Sequence, residues 1–207
     1  MMEVVASFMQ SLTAEFPLIP DDRKVILRNI ASYVLKKHEE AGEVHLVFIC
    51  THNSRRSHFG QVWAAVAADY FDLKNIHTYS GGTEATAFHP NAIESLRRAG
   101  LEVLKTSQES NPVYEVWYNK ERSPLMCFSK VYNDPSNPQH HFAAIMTCSD
   151  AEENCPFIPG VELRIGTTYE DPKIADGSPQ QDQIYDERCR QIAREMSFVF
   201  SLVSHHS

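Results

Sequence analysis

The residues best suited to chemistry in this sequence are Cys50-Thr-His-Asn-Ser-Arg-Arg56-Ser57, a cysteine and an arginine separated by five positions, with a serine directly after. The segment follows an apolar, β-branched run, VHLVFI, and precedes a helix-forming stretch, HFGQVWAAVAADYF. A loop wrapped in front of a helix N-terminus points several backbone N–H groups at one spot and forms a nest for an anion. Thr51, His52, Asn53, Ser54, Arg55, Arg56 and Ser57 are therefore the candidate oxyanion-binding residues. A guanidinium at Arg56 can clamp two oxygens of a tetrahedral oxyanion. The same positive field favours thiolate over thiol at Cys50, and the Ser57 hydroxyl can hydrogen-bond it. The result is a nucleophile held beneath a phosphate-like ion. Arg55 either adds charge at the rim or is a solvated residue at the helix start.

A second pair of thiols stands in Cys148-Ser-Asp-Ala-Glu-Glu-Asn-Cys155-Pro, after another apolar run, FAAIMT. In a parallel sheet the C-terminal ends of the strands lie along one edge, where α/β proteins bind ligands. Cys50 and Cys148 both follow such runs and belong on that edge. The loop is short enough to bring Cys155 back to Cys148 as a disulfide when it moves. C-x6-C is not a common zinc spacing and no second ligand pair lies at a typical distance, so neither a metal nor another cofactor is expected. Asp171-Pro172 offers a carboxyl that can donate a proton from a stiffened loop. The dipeptide alone is not specific, since Asp134-Pro135 also occurs. Cys127 and Cys189 have no comparable context and read as structural.

The elements that must hold these residues are legible from periodicity. Residues 1–43 read as a helical extension: Val4, Val5, Phe8, Met9 and Leu12 recur at helical spacing, Pro17 and Pro20 interrupt, and a second helix carries Ile26, Ile30, Val34 and Leu35. From residue 44 to 207 strands alternate with helices. VHLVFI, NIHTYS and FAAIMT are strands. Helices follow the first loop, begin again at Pro90 and end before Gly100, and run from about Gln181 to Val203. This rhythm predicts an α/β fold with an open parallel sheet and flanking helices. It is interrupted at about 111–141 by two β-prone runs, VYEVWY and LMCFSKVY, and an irregular tail, which read as a β-hairpin insertion. Its aromatic residues read as packing against the domain.

Composition narrows the classes. The 207 residues are 43% hydrophobic and 22% charged, with a net charge of −8, so a general basic surface for nucleic acid is not expected. No apolar run approaches the ~18 residues a membrane span needs. The first basic residue is Arg23, and no signal peptide is read. Five cysteines, an odd number in a long acidic chain, suit a reducing cytoplasm better than a secreted disulfide framework.

The loop at Cys50 resembles that of the low-molecular-weight protein tyrosine phosphatase superfamily, C-x-x-N-x-x-R-S, with Cys50, Asn53, Arg56 and Ser57 all matching. TYSGGTEATAFHPNAIESLRRAGLEV is similar to the strand, turn and helix that follow the loop in that family. The resemblance implies a nucleophilic Cys50, an oxyanion-binding Arg56, a loop-shaping Asn53, a thiolate-stabilising Ser57 and Asp171 as general acid. His52 departs from the usual glycine and would carry strain if that position needs an unusual backbone angle. Arg55 stands where many members have a second cysteine.

The words CSDAEENCP resemble the thioredoxin-coupled arsenate reductases, a branch of the same superfamily. That branch implies a relay in which Cys50 attacks arsenate, Cys148 displaces arsenite, and Cys155 takes over to leave a disulfide for a thioredoxin-like reductant. Some members also bind potassium. Asn53 and Ser80 are present among the corresponding ligands, but Gln61 replaces an acidic residue, and the ion is not expected here. Arsenate reductase is the first reading of function. Hydrolysis of phosphotyrosine-like monoesters through Cys50, Arg56 and Asp171 is the second, and a non-enzymatic anion-binding module the third.

Overall fold

The computed structural model describes residues 1–40, 42–154 and 157–205. Along the chain it contains α1 (Glu3–Thr13), α2 (Asp21–Glu39), β1 (Val44–Cys50), α3 (Arg56–Tyr70), β2 (Ile76–Gly82), α4 (Pro90–Arg98) and β3 (Glu102–Lys105). There follow β4 (Tyr114–Trp117), β5 (Leu125–Cys127), β6 (Phe142–Met146), α5 (Ser149–Asn154), β7 (Val161–Gly166) and α6 (Gln181–Ser204). The main sheet is parallel throughout, in the order β2-β1-β6-β7. The chain steps from β1 to β2 on one side and returns on the other at β6. The C-terminal ends of β1 and β6 thus flank the point where the strand order reverses, the natural crevice of an open α/β sheet.

The β-branched and aromatic run of β1 is explained by burial on both faces. Leu46 and Phe48, with Ala143 and Ile145, face the larger core built with α1, α2, α3, α4 and α6. Val47 and Ile49, with Ala144 and Met146, face a smaller cluster closed by Ala151 of α5, Ile158 and Tyr132. Residues Ser57 to Ala68 of α3 are all buried, which accounts for its small and apolar composition. At Gly60 a Cβ would enter the ring of Phe48, so glycine lets α3 lie close on β1.

The N-terminal helices pack into the same core through Val5, Met9 and Leu12 of α1 and Leu27, Ile30, Ala31 and Val34 of α2. The apolar stripe differs in detail from the periodicity reading. Val4 is exposed, and Leu27 rather than Ile26 is fully buried, because α2 meets the core one residue further round.

The expected hairpin is β4–β5, but it belongs to a three-stranded antiparallel sheet, β3-β4-β5. β3 comes from the segment just after α4, outside the stretch read as the insertion. β7, whose VELRIG alternates at a half-buried sheet edge, was not among the strands read from the sequence. Beyond β5 the chain runs back along the end of β2. Gly82 N–H donates to Lys130 O and Tyr132 N–H to Gly82 O, both at 2.9 Å. The tail of the insertion therefore lies against the Cys50 loop. Among the described residues no helix is long and apolar enough to cross a membrane.

Candidate active site

The loop between β1 and α3 is held by its carbonyls. Cys50 O accepts from Thr83 N–H at 3.1 Å, Thr51 O from Glu84 N–H at 2.9 Å and Ser54 O from His89 N–H at 3.0 Å. His52 O accepts from the hydroxyls of Ser129 at 2.9 Å and Thr86 at 3.2 Å. Among the described residues, the N–H groups of residues 51–55 donate to no protein acceptor. With the carbonyls engaged outward and these donors unspent at the start of α3, the loop has the electrostatics of an anion nest. Gly82 is required beneath it, because a Cβ there would lie 2.6 Å from Thr51 O and 2.7 Å from Asn53 N.

Inside the loop, Cys50 Sγ lies 3.1 Å from Ser57 Oγ. Asn53 Nδ2 donates to that same oxygen at 2.8 Å, which leaves the Ser57 hydrogen free to point at sulfur. Asn53 Oδ1 accepts from Lys130 N–H at 2.9 Å, so the insertion tail fixes the residue that orients Ser57. The unusual backbone angle expected at His52 falls on its neighbour: Asn53 has φ +44°, a conformation asparagine tolerates. His52 itself stands half exposed at the rim, its Nε2 3.4 Å from Glu84 Oε1. Ser54 turns its hydroxyl onto Ala87 O at 2.7 Å.

Arg56 and Asp171, 115 positions apart, meet directly. Arg56 Nη2 donates to Asp171 Oδ2 at 2.6 Å and Nη1 to Tyr169 O at 2.7 Å. Asp171 Oδ1 also accepts from Lys173 N–H at 3.0 Å, and Pro172 opens the short 3₁₀ turn Pro172–Ala175. Arg55 is neither a rim charge nor solvated. Its side chain is only 11% exposed, and it donates from Nε to Tyr185 OH at 2.7 Å and from Nη2 to Asp176 Oδ2 at 3.2 Å. Tyr185 OH in turn donates to Asp176 Oδ1 at 2.7 Å. Burial raises the Asp176 carboxyl, but the Tyr185 hydrogen bond and the Arg55 charge outweigh it and hold it below the usual carboxylate range. The same neighbourhood lowers His89, first by burial and then by the Arg55 charge. Arg55 thus ties the segment after Asp171 to the start of α3, for which neither its type nor its position in sequence gave a signal.

Cys148 follows β6 and is buried. Its Sγ lies 3.4 Å from Thr51 Oγ1 and accepts from Ala151 N–H at 3.4 Å. Thr51 Oγ1 also donates to Asp150 Oδ2 at 2.7 Å. One hydroxyl thus links the Cys50 loop to the Cys148 loop. Cys155 lies outside the described residues. Cys127 and Cys189 are fully enclosed, and burial pushes both thiols up to about 12, which keeps them protonated.

The oxygens that could hold a potassium ion are engaged within the protein: Ser80 Oγ donates to Gln61 Oε1 at 2.7 Å and lies 3.3 Å from His58 Nδ1, and Asn53 Oδ1 accepts from Lys130 N–H at 2.9 Å. Burial, then the Lys130 charge, lowers His58 to about 3, so this histidine stays neutral beside Ser80. This donor set does not fit a further cation.

No protein-family model matches the chain. It is 27% identical over 145 residues to an arsenate reductase of Bacillus licheniformis, covering 70% of this chain and 86% of that protein. It is 24% identical over 146 residues to the arsenate reductase of Bacillus subtilis, with the same two coverages of 70% and 86%. Among solved structures, a mutant of YwlE from Bacillus subtilis superposes with a TM-score of 0.52 at 13% identity, over 78% of this chain and 99% of that one. A low-molecular-weight protein tyrosine phosphatase from T. tengcongensis gives a TM-score of 0.52 at 12% identity, over 77% and 99%. The chain has the fold of the low-molecular-weight protein tyrosine phosphatases and is similar in sequence to arsenate reductases. Its sequence relatives carry the arsenate reductase name, whereas the structural likeness is one of fold. The superfamily's loop pattern falls on Cys50, Asn53, Arg56 and Ser57, four residues joined here with Asp171 and Cys148 along one sheet edge.

Proposed function

We propose that this protein is an arsenate reductase that works by a cysteine relay. Cys50, as thiolate, attacks arsenic and expels hydroxide as water with a proton, forming a sulfur–arsenic bond within the loop. Cys148 then attacks Cys50 Sγ. The sulfur–arsenic electron pair stays on arsenic, which leaves as arsenite, reduced by two electrons, while a Cys50–Cys148 disulfide forms. Cys155 exchanges into that bond, freeing Cys50, and a thioredoxin-type dithiol reduces the Cys148–Cys155 disulfide. Arg56 and the loop N–H groups bind the oxyanion, and Asp171 handles the proton of the departing oxygen.

The observation that carries this reading is the second buried thiol at the loop: Cys148 Sγ lies 3.4 Å from the hydroxyl of Thr51, the residue next to Cys50. A hydrolase needs no such thiol. The names of the sequence relatives support the same reading. Hydrolysis of aryl phosphates is the second reading, and it would draw on the same Arg56–Asp171 pair, 2.6 Å apart, as oxyanion clamp and general acid. Thiols free at Cys50, Cys127, Cys148 and Cys189 suit a reducing cytoplasm, the compartment proposed.

The deciding experiment supplies purified protein with arsenate and a thioredoxin system and, in parallel, with an aryl phosphate. Arsenite release that depends on Cys148 supports the relay. If the wild type reduces no arsenate and no Cys148–Cys155 disulfide forms on mild oxidation, the relay is wrong and the phosphatase reading replaces it.

A further inference from the structure

The segment 167–176, between β7 and α6, carries both partners of Arg56: the Tyr169 carbonyl and the Asp171 carboxylate. Its far end is tied down by Asp176, which meets Arg55, Tyr185 and Asn91. Its near end is gripped by a side chain from a distant part of the chain. Arg23, near the start of α2, donates through Nη2 to Thr167 O and through Nη1 to Thr168 O at 3.5 Å. Its Nε donates to Glu195 Oε2 of α6 at 2.9 Å. Its guanidinium lies 4.6 Å from the centroid of the Tyr169 ring, whose hydroxyl donates to the same Glu195 oxygen at 2.7 Å. Glu195 is only 1% exposed, so its charge needs a cation at this place.

We infer that Arg23, delivered by the N-terminal helical extension, is a positioning residue for the Arg56–Asp171 pair, an inference that rests on the proposed role of that pair. The planar guanidinium is what the geometry requires: one face covers the Tyr169 ring while separate N–H groups hold two successive carbonyls and a carboxylate. With Thr167 and Thr168 held by Arg23, the next carbonyl, Tyr169 O, is turned toward Arg56. Loosening the first two releases the third, and with it the orientation of Arg56 toward Asp171. The extension thereby acts on the site without touching it, since α2 contributes no residue to the Cys50 loop's hydrogen bonds.

The test uses two variants of the full chain. Arg23→Lys keeps a positive charge opposite Glu195 but loses the fork. Arg23→Gln with Glu195→Gln removes both charges, so no buried charge is stranded and folding is preserved. Hydrogen exchange read by mass spectrometry should show the amides of 167–176 exchanging about tenfold faster in both variants while β1 and β6 keep wild-type rates. Unchanged exchange in 167–176 overturns the inference. The second readout is a double-mutant cycle with Asp171→Asn on whichever of arsenate or aryl phosphate the wild type turns over. Arg23→Lys should lower kcat about tenfold with KM within about twofold, and should cost nothing further once Asp171 is Asn. An equal loss in both backgrounds means that Arg23 does not act through the pair and overturns the inference. If the wild type turns over neither substrate, the proposed function falls, and the exchange measurement still decides the role of Arg23.

Discussion

Arg56→Lys asks whether the site depends on a two-pronged cation or only on positive charge. Arg56 engages Tyr169 O at 2.7 Å and Asp171 Oδ2 at 2.6 Å from two different nitrogens, with its side chain 12% exposed. A lysine ammonium on a flexible stem can keep one of these contacts but not the fixed plane that joins them. Losing one hydrogen bond to a charged group costs about 1.5–3 kcal/mol. Losing one oxyanion donor in the transition state costs roughly 3 kcal/mol. The larger figure governs the rate, because the fork is needed most when charge builds on the oxyanion, and kcat/KM should fall roughly a hundredfold or more. The assay is steady-state arsenite release with a thioredoxin system, or aryl phosphate hydrolysis, alongside circular dichroism to show the fold intact. A folded Arg56→Lys protein within about threefold of wild-type kcat/KM would refute the reasoning. Arg55→Lys is the internal comparison. It retains a charge opposite Asp176 and loses the bond to Tyr185, about 1.5–3 kcal/mol of stability away from the oxyanion, so its effect on kcat/KM should be severalfold only.

Cys50→Ser should abolish arsenate reduction and any aryl phosphate hydrolysis in a folded protein; substantial turnover remaining would remove Cys50 as nucleophile. Cys148→Ser should stop arsenite release after the first attack, and Cys155→Ser should allow at most about one turnover without added small thiols, while both leave any phosphatase activity largely intact. Mass spectrometry after one wild-type turnover should find Cys148 joined to Cys155 with Cys50 free. Stability should depend on pH through His58, which burial lowers to about 3. Between the ordinary histidine value near 6.5 and that folded value the unfolded chain binds the extra proton, so the stability contributed by neutral His58 is complete above about 6.5 and is lost by about 1.4 kcal/mol per unit as pH falls. Denaturant unfolding between pH 4.5 and 7 should be steeper in pH for the wild type than for His58→Gln, and equal slopes would contradict this.

Much of the fold was readable because the signals are local. The β-branched run before Cys50 could only be a doubly buried strand, the alanine-rich stretch after it a buried helix, and strand–helix alternation a parallel sheet. β7 escaped because an edge strand buries one face weakly, and β3 because its short run is ordinary until β4 pairs with it. The spacing of Cys50, Asn53, Arg56 and Ser57 likewise made the loop legible as a candidate oxyanion site, since loop and helix start are contiguous in the chain.

What the sequence by itself determined is the set of candidate reactive groups, the Cys50 loop and the cysteines at 148 and 155, and a parallel sheet whose strand ends carry Cys50 and Cys148. Tertiary structure alone decided how those groups are held. That Arg56 meets Asp171, that Arg55 is buried against Tyr185 and Asp176, that Thr51 touches Cys148, and that Lys130 and Arg23 reach the site's supports are contacts across 77 to 145 positions of chain. Such contacts leave no periodic or compositional trace, because an arginine bound to a buried carboxylate and an arginine in water are the same letter. Only closing the sheet and docking the N-terminal helices brings the partners within hydrogen-bond reach, and only there does burial turn each of them from a solvated charge into a directional constraint.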